Sequence, residues 1–247
     1  MSTATAARLR RQRDDRSAEH FTPFHERSRT REPKLAYDLY KCAASLVALT
    51  VLRAYSIGSD NVPQSGPVIL APTHRSSTDH GLVMAFISRR VRFMGKSELF
   101  VSTRWCFWSH MGVFPVRRGH RDEEAIITAK TILDQEGAIV VYCEGTRSRD
   151  GRWPVQPHLG LARLALETGA PIVPVAIRRS SFEFPSRVRP LSHAVVEYGA
   201  PFRYEQVEVA SRHQQWAVAS EIMHEIQAMQ ARPNRRWHRR VAQHRTV

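Results

Sequence analysis

The sequence has few cysteines, and their spacing argues against stabilisation of the fold by disulfide bonds or by a structural zinc ion. Its three cysteines form no Cys-x-x-Cys pair and no set spaced like zinc ligands. Such an odd, scattered set argues against a disulfide framework and against structural zinc, and it fits a reducing compartment best. The fold must therefore depend on a hydrophobic core, for which the 42% of hydrophobic residues suffice.

The sequence also lacks the long apolar runs of membrane-spanning or secreted chains. The uncharged stretch Cys42–Leu52 has only 11 residues, whereas a transmembrane helix needs about 20. Residues 1–34 are polar and rich in arginine, without the apolar segment typical of a secretory signal. Because they hold little that could form a core, we expect them to be a mobile basic arm.

Acidic residues are scarce beside basic ones. There are 23 Asp and Glu against 37 Lys and Arg, which gives a net charge of +14. This excess predicts an anionic partner: nucleic acid, an acidic lipid surface or a phosphorylated substrate. The last stretch, residues 232–247, holds six arginines, Trp237 and no acid. It is typical of a solvated tail, and the tryptophan also favours contact with an anionic membrane surface.

Residues 35–57 form an apolar stretch of helical length. Lys34, Lys41 and Arg53 flank its apolar part, and tyrosines stand near both ends. This pattern predicts a helix that associates with a membrane interface. Docking of the same helix on the core of the domain is an equally open alternative.

Residues 58–231 alternate strand-like and helix-like segments. Strands are expected at 68–71, 91–95, 113–116, 138–143, 172–177 and 194–198. Helices are expected at 77–88, 97–111, 122–135, 160–168 and 211–231. This order predicts one α/β domain, a layered mixed β-sheet flanked by helices, with binding residues in loops at strand ends. Pro174 interrupts one strand pattern, which predicts a sheet edge or a bulge there.

The segment after the first strand of this domain carries His74 and Asp79, five positions apart. On a continuous helix five residues turn by about 140° from their starting direction, so these side chains would not share a face. They can meet if His74 lies in the loop and the helix begins at Ser76, with Asp79 bending back as in a capping box. A carboxylate would then face one imidazole nitrogen, and the other nitrogen would accept a proton.

Charged residues follow three other strands directly. Lys96 follows the second strand, Arg118 follows the third, and residues 144–147 follow the most apolar strand. A charge at such a position is costly to bury unless it has a partner there. Because the guanidinium group is a planar fork of donors, arginine suits phosphate oxygens.

Taken together, these segments resemble the four sequence blocks of the glycerolipid acyltransferase family, which includes PlsC-like lysophosphatidic acid acyltransferases. The blocks lie within about residues 65–200: His74-x4-Asp79, residues 112–118, residues 144–148 and the apolar block around Pro174. The resemblance implies the glycerolipid acyltransferase fold with an N-terminal membrane-interface helix. It also implies transfer of a fatty acyl group from a thioester to the free hydroxyl of lysophosphatidic acid, which forms phosphatidic acid.

The resemblance further implies roles for individual residues. His74 is expected to act as general base, with Asp79 holding its ring. Arg118 and Arg147 are expected to bind the acceptor phosphate, with Glu144, Gly145 and Thr146 around it. Lys96, from its place directly after a strand, is a further candidate cation for this phosphate, and an ordinary surface lysine is the alternative. No metal and no cofactor is implied, and acyl-CoA or acyl-ACP is the co-substrate. The expected partners are a lysophospholipid, an acyl thioester and an anionic membrane surface, with acyl carrier protein as one donor. The expected location is the cytoplasmic face of a membrane, as a peripheral or monotopic protein.

Two positions depart from the family pattern. His158, before Leu159-Gly160, stands where the family often has a lysine, and it would bind phosphate only when protonated. Arg117 replaces a commonly acidic residue and adds a cation near the site. These departures concern recognition of the acceptor rather than the type of reaction.

Other functions compete with this interpretation. A serine hydrolase would need a Gly-x-Ser-x-Gly elbow, which the sequence lacks. A metal site at His74, Asp79 and His80 lacks the clustering of ligands expected for one. Nucleic-acid binding would explain the arginines at both ends but not the strand-end blocks. Within the family, glycerol 3-phosphate or a glycolipid hydroxyl is an alternative acceptor.

Overall fold

The fold is taken from a computed structural model, which describes residues 14–101, 107–120, 122–145, 157–178 and 194–232. The strands are β1 Tyr55–Ile57, β2 Val68–Pro72, β3 Val91–Lys96, β4 Val113–Val116, β5 Ala138–Val140, β6 Ile172–Arg178 and β7 Val195–Tyr198. The helices are α1 Thr22–Thr30, α2 Leu35–Thr50, α3 Asp79–Ala85, α4 Phe107–His110, α5 Glu123–Asp134, α6 Gly160–Thr168 and α7 Arg212–Ala231. Short 3-10 helices lie at Ala18–His20, Ser59–Asn61 and Ser97–Leu99.

Among the described residues, seven strands form one mixed sheet in the order β1-β7-β6-β2-β5-β3-β4. The neighbours β6, β2, β5, β3 and β4 are parallel to one another, whereas β7 runs antiparallel to β6. The five parallel strands therefore all end at one edge, here named the carboxyl edge, and begin at the opposite amino edge. Loops that follow β2, β3, β4 and β5 are brought together at the carboxyl edge.

Both faces of the sheet are covered, which confirms the predicted layered α/β fold. Alternate residues of β2 face opposite ways, so Val68 and Leu70 join one apolar cluster while Ile69 and Ala71 join the other. The first cluster is covered by α1, α2 and α3. The second is covered by α5, α6 and α7. All five residues of β2 are buried, as expected for a central parallel strand.

Pro174 lies inside the sheet rather than at its edge. Its strand, β6, pairs with β2 on one side and β7 on the other. The antiparallel register changes by one residue between the pairs Ile172↔Phe202 and Val175↔Tyr198, so residues 173–174 face residues 199–201. The prediction of an edge was wrong, and that of a bulge is confirmed. A bulge tolerates proline because it interrupts the ladder of hydrogen bonds where proline has no donor.

The described part of the predicted mobile arm, residues 14–34, packs against the domain. Phe21 and Phe24 are 1% and 3% exposed. Arg16 donates hydrogen bonds to the carbonyl oxygens of Ser97 and Phe100, at 2.8 and 2.6 Å. Helix α1 packs on β4 and α5 and covers the edge strand. The prediction of an arm without core residues was wrong for this part, since two phenylalanines among many charges are enough to anchor it.

Helix α2 is shorter than the predicted 35–57 and has two different sides. It ends at Thr50, before Arg53 takes a left-handed conformation with φ 44°, and residues 55–57 form β1 instead. On its inner side Tyr37 is fully buried, and its hydroxyl oxygen accepts a hydrogen bond from the Val91 amide at 2.9 Å. The helix therefore docks on the domain along one side.

The other side of α2 is an exposed row of leucines, here named the leucine stripe: Leu35, Leu39, Leu46 and Leu49, which are 57–71% exposed. At roughly 100° per residue these positions fall within about 80° of one another around the helix. None of the helices in the described ranges is both long and apolar enough to cross a bilayer. The stripe is thus an apolar surface on a docked helix.

Candidate active site at the carboxyl edge

The loop between β2 and α3 brings His74 and Asp79 together, as their spacing predicted. Nδ1 of His74 lies 3.3 Å from Oδ2 of Asp79. The same oxygen accepts hydrogen bonds from the backbone amides of Arg75 and Ser76, at 2.7 and 2.8 Å. The carboxylate therefore bends back over the loop and fixes both its course and the ring of His74.

The helix begins later than predicted, so only half of the expected capping box forms. Helix α3 begins at Asp79 rather than just after Ser76. The Asp79 carboxylate accepts from the Ser76 amide as a capping box requires, but the Ser76 hydroxyl accepts from the Thr78 amide, at 3.3 Å. The extra loop residues leave room for the carboxylate to reach His74 and Arg75 as well.

The His74 ring is held between two aromatic side chains: His80, considered from the sequence only as a metal ligand, and Tyr142, which was not singled out. Tyr142 stacks on it with ring centroids 4.0 Å apart and planes 24° apart. His80 meets His74 edge-on at 5.4 Å and Tyr142 at 5.3 Å. The sequence did carry a signal for Tyr142. It is an aromatic residue two positions before Glu144, and alternation along the strand places it on the same face of the sheet as Val140. These rings restrict the tilt of the imidazole while Asp79 restricts its rotation.

The Tyr142 hydroxyl is buried and has no hydrogen-bond partner in the part of the chain that the structure describes. Burial raises the pKa of Tyr142 well above its usual value, so the group stays protonated. A buried unpaired hydroxyl costs about 1 kcal/mol or more. We expect Tyr142→Phe to raise the free energy of unfolding by about 1 kcal/mol and to keep the stacking and the activity. Urea unfolding measures the first and initial rates the second; a loss of activity would show that the hydroxyl has a role in turnover.

Glu144 follows β5 and links it to the His74 loop. Its Oε1 accepts a hydrogen bond from the His74 backbone amide at 3.0 Å. Its Oε2 is buried and has no hydrogen-bond partner within the described ranges. Burial raises the pKa of Glu144 to about 7, against the lowering effects of the His74 amide and the nearby Arg75 charge. The sequence predicts that Glu144 lies around the acceptor phosphate, and this stays a prediction. In the structure its carboxyl group holds the backbone of His74.

Glu144 should make stability depend on pH. Its folded pKa is raised above the value of about 4.5 expected when unfolded, so folding favours the protonated form. Stability should then fall as pH rises from about 4.5 to 7, by about 2 kcal/mol. Glu144→Gln keeps the acceptor oxygen but cannot ionise. In denaturant unfolding, the free energy of unfolding of Glu144→Gln should rise relative to that of the parent protein from about pH 4.5 to 7. Above pH 7 the difference between the two proteins should stay constant. An advantage independent of pH would contradict the assignment.

Cationic side chains lie at the same edge as His74. Strands β3 and β4 pair with Lys96 opposite Val116, so Lys96 and Arg118 both stand at their carboxyl ends. Arg75 donates a hydrogen bond to Oε1 of Gln230 on α7, at 2.8 Å. Arg75 was not singled out from the sequence, although it directly follows the histidine. Thr146 and Arg147 lie outside the described residues.

Gly145 and His158 pack together beside Arg118. Gly145 has φ 65°, and a Cβ atom there would lie 3.0 Å from the imidazole of His158, so both its conformation and its neighbour require glycine. The His158 amide donates to the Cys143 carbonyl oxygen at 2.9 Å. Burial, and then the charge of Arg118, lower the pKa of His158. Both effects favour the neutral imidazole over the cation that the family's lysine would supply.

The arrangement suits a proton transfer next to a bound anion. An oriented imidazole with a buried carboxylate behind it can take a proton and be stabilised as an imidazolium. Cations at neighbouring strand ends can bind a phosphate within the same edge. Within the described ranges, no three His, Cys, Asp or Glu side chains are grouped to hold a metal ion.

Comparison with known proteins gives matches at the level of family, sequence and fold. Residues 53–178 match the sequence model of the family described as Acyltransferase. A 1-acyl-sn-glycerol-3-phosphate acyltransferase of Brassica napus is 32% identical over 126 residues, which are 49% of this chain and 36% of that protein. The alpha form of the human enzyme of the same name is 28% identical over 124 residues, 49% of this chain and 44% of that protein. The matched stretch thus spans less than half of either relative.

The crystal structure of the 1-acyl-sn-glycerophosphate acyltransferase PlsC from Thermotoga maritima has a similar fold. It aligns with a TM-score of 0.58 over 80% of each chain, at 21% sequence identity. The predicted fold class is confirmed by this likeness.

Proposed function

Because this chain belongs to the acyltransferase family, we propose that it transfers a fatty acyl group from a thioester to the free hydroxyl of lysophosphatidic acid, which forms phosphatidic acid. The pairing of His74 with Asp79 at the carboxyl edge, beside Lys96 and Arg118, is the observation that carries this proposal. The names of the Brassica and human relatives support the choice of acceptor.

The proposed reaction needs one base and no covalent enzyme intermediate. Nδ1 of His74 faces Asp79, so Nε2 takes the proton of the acceptor hydroxyl as its oxygen attacks the thioester carbonyl carbon. The tetrahedral intermediate then expels the thiolate, which recovers the proton from the imidazolium. The products are an ester and a free thiol. Asp79 stabilises the imidazolium between these two steps.

The acceptor phosphate is assigned to the cations of the carboxyl edge. Arg118 and Lys96 contribute charge there. Arg147, which lies outside the described residues, is assigned to the same phosphate from the sequence block alone. Arginine can bind phosphate through two parallel hydrogen bonds, which fixes the direction of the hydroxyl as well as the anion. Glycerol 3-phosphate would use the same cations, whereas a glycolipid hydroxyl would not need them.

An apolar groove beside the histidine loop is suited to a fatty acyl chain. The groove has a volume of about 290 Å³ and lies between α2 and α3, with Tyr40, Val47 and Leu82 among its lining residues. Ser77 and Thr78 of the histidine loop line it as well. Pockets of this kind bind apolar ligands through burial of surface.

A panel of donors and acceptors tests the proposed function. Purified protein should be incubated with palmitoyl-CoA or palmitoyl-ACP, and with lysophosphatidic acid, glycerol 3-phosphate or a glycolipid acceptor, while thiol release and lipid products are followed. Phosphatidic acid from lysophosphatidic acid supports the proposal and identifies the donor. Acylation of another acceptor alone would move the function to that substrate. Salt-dependent binding of duplex DNA with no acyl transfer would favour the nucleic-acid alternative.

Contact with a membrane surface is the second part of the proposal, at the cytoplasmic face. The product has two acyl chains and stays in a lipid phase, and the leucine stripe offers an apolar surface on a chain of net charge +14. Leu39→Glu/Leu46→Glu should weaken binding to phosphatidylcholine vesicles by at least about 10-fold, because binding scales with the apolar area inserted. Sedimentation with vesicles measures this. The control Ile127→Glu/Val209→Glu alters two exposed apolar residues elsewhere, and an equal loss there would contradict the assignment of the stripe.

A further inference from the structure

A basic cleft lies at the amino edge of the sheet, away from the candidate active site. It is a cavity of about 620 Å³ between the end of α1, the connection to α2 and helix α4. Arg92, which lines it, stands near the beginning of β3, and α4 directly precedes β4. A second cavity of about 300 Å³ shares Arg27, Arg31 and Ser109 with the first. The two cavities therefore form one continuous cleft.

The lining of this basic cleft carries more positive than negative charge. The larger cavity is lined by Arg27, Arg31, Lys34 and Arg92, against one carboxylate, that of Glu32. Arg92 is engaged with the backbone, since it donates to the carbonyl oxygens of Ser28 and Arg31. Over the described ranges, no carboxylate lies within ion-pair distance of Arg27, Arg31 or Lys34. An anion is the ligand that such a lining would bind.

Ser109 gives the basic cleft a polar group that lacks a partner. Ser109 is 8% exposed and lines both cavities. Its hydroxyl is buried and has no hydrogen-bond partner among the described residues. A buried hydroxyl in this state loses hydrogen bonds that it would make with water. A phosphate oxygen in the cleft would supply the missing acceptor.

The position of the basic cleft indicates the source of the anion. Leu35, the first residue of the leucine stripe, lines the larger cavity and is 71% exposed. Lys34, which also lines this cavity, directly precedes Leu35 in the sequence. Basic side chains directly beside an inserted apolar face lie at the depth of lipid headgroups. A nucleic-acid-binding surface would not require exposed leucines at its border.

We propose that the basic cleft binds the phosphate of an anionic membrane lipid while the leucine stripe contacts the acyl region. This inference rests on the membrane contact proposed above and adds a selectivity for acidic lipids that the stripe alone does not give. The cleft and the candidate active site lie at opposite edges of the sheet, so binding there does not occupy the acceptor site.

The test measures binding of the full chain to vesicles of phosphatidylcholine with and without phosphatidylglycerol, which is not the proposed product. Arg27→Gln/Arg31→Gln should lose about 10–30-fold in affinity for the acidic vesicles, at about 1 kcal/mol for each charge near the surface. It should bind neutral vesicles as the parent protein does, whereas Leu39→Glu/Leu46→Glu should weaken on both. The two proposals can therefore fail separately. Ser109→Ala should lower only the binding to acidic vesicles, by a few-fold.

A matched control removes the same charge from the other side of the sheet. Arg203 and Arg212 are exposed near the start of α7, and Arg203→Gln/Arg212→Gln should change acidic-vesicle binding by less than about 3-fold, since screening limits distant charges. An equal loss in both double variants would overturn the cleft in favour of general charge. Displacement from vesicles by inorganic phosphate at equal concentration would overturn the lipid as ligand. Loss of duplex DNA binding in Arg27→Gln/Arg31→Gln, with vesicle binding unchanged, would assign the cleft to nucleic acid.

Discussion

Replacing His74 with alanine should lower the rate of acyl transfer by about 10²–10⁴-fold, the range of a positioned general base. The acceptor hydroxyl would then keep its proton while it attacks, because the imidazole that pairs with Asp79 is the group placed to take it. The change should fall in kcat rather than KM, because the proposed phosphate contacts of Lys96 and Arg118 are untouched. Steady-state kinetics with lysophosphatidic acid and an acyl thioester measure both constants.

The control for this variant is His213→Ala. His213 is exposed on α7 and has no place in the proposed site, so its replacement should leave both constants within about 3-fold, as for most surface changes. A rate for His74→Ala within about 10-fold of the parent protein would exclude His74 as the base. Thermal unfolding of the three proteins separates a loss of chemistry from a loss of fold.

Replacing Asp79 with asparagine should also cost about 10²–10⁴-fold in kcat. Oδ2 of the fully buried carboxylate accepts from two backbone amides and lies against Nδ1 of His74, so this one oxygen holds the loop and the ring together. Asparagine keeps the volume but has no negative charge to stabilise the imidazolium. Its amide group can also turn a donor toward the Arg75 and Ser76 amides.

The matched control for Asp79→Asn is Asp134→Asn, at the exposed end of α5. The control should keep full activity, whereas Asp79→Asn should lose kcat and keep KM. Measurement of the pH dependence adds a second check, because loss of the anion should lower the pKa of the base and shift the acidic limb of kcat/KM to lower pH. An unchanged profile with unchanged kcat would show that Asp79 only caps α3.

The order of strands and helices could be predicted because the strongest patterns in the chain are local. The run Val68–Pro72 is apolar throughout and ends at a proline, and residues 160–168 are followed by Gly169 in a left-handed conformation. Such signals act within a few residues and depend little on the rest of the fold. The meeting of His74 with Asp79 was predictable for the same reason, since only five positions separate them.

Contacts between segments that are distant in the chain could not be predicted from the sequence. Glu144 bonds to the His74 backbone across 70 positions, and Tyr142 stacks on the same residue. Both depend on β5 lying next to β2, which the sequence does not show. The packing of Phe21 and Phe24 into the core was likewise not predicted, because residues 14–34 are mostly polar and charged. Composition averages over a segment, whereas packing needs only a few side chains.

Acyl transfer by His74 is tested most directly in one reaction of the purified protein with lysophosphatidic acid and palmitoyl-CoA or palmitoyl-ACP. The amount of phosphatidic acid formed is compared with the amount of thiol released. Mass spectrometry measures phosphatidic acid, and a thiol reagent measures the released carrier, with His74→Ala alongside. The account predicts equal amounts of both products, formed by the parent protein and lost in the variant. Thiol released without phosphatidic acid, or both products formed by His74→Ala at the parent rate, would contradict it.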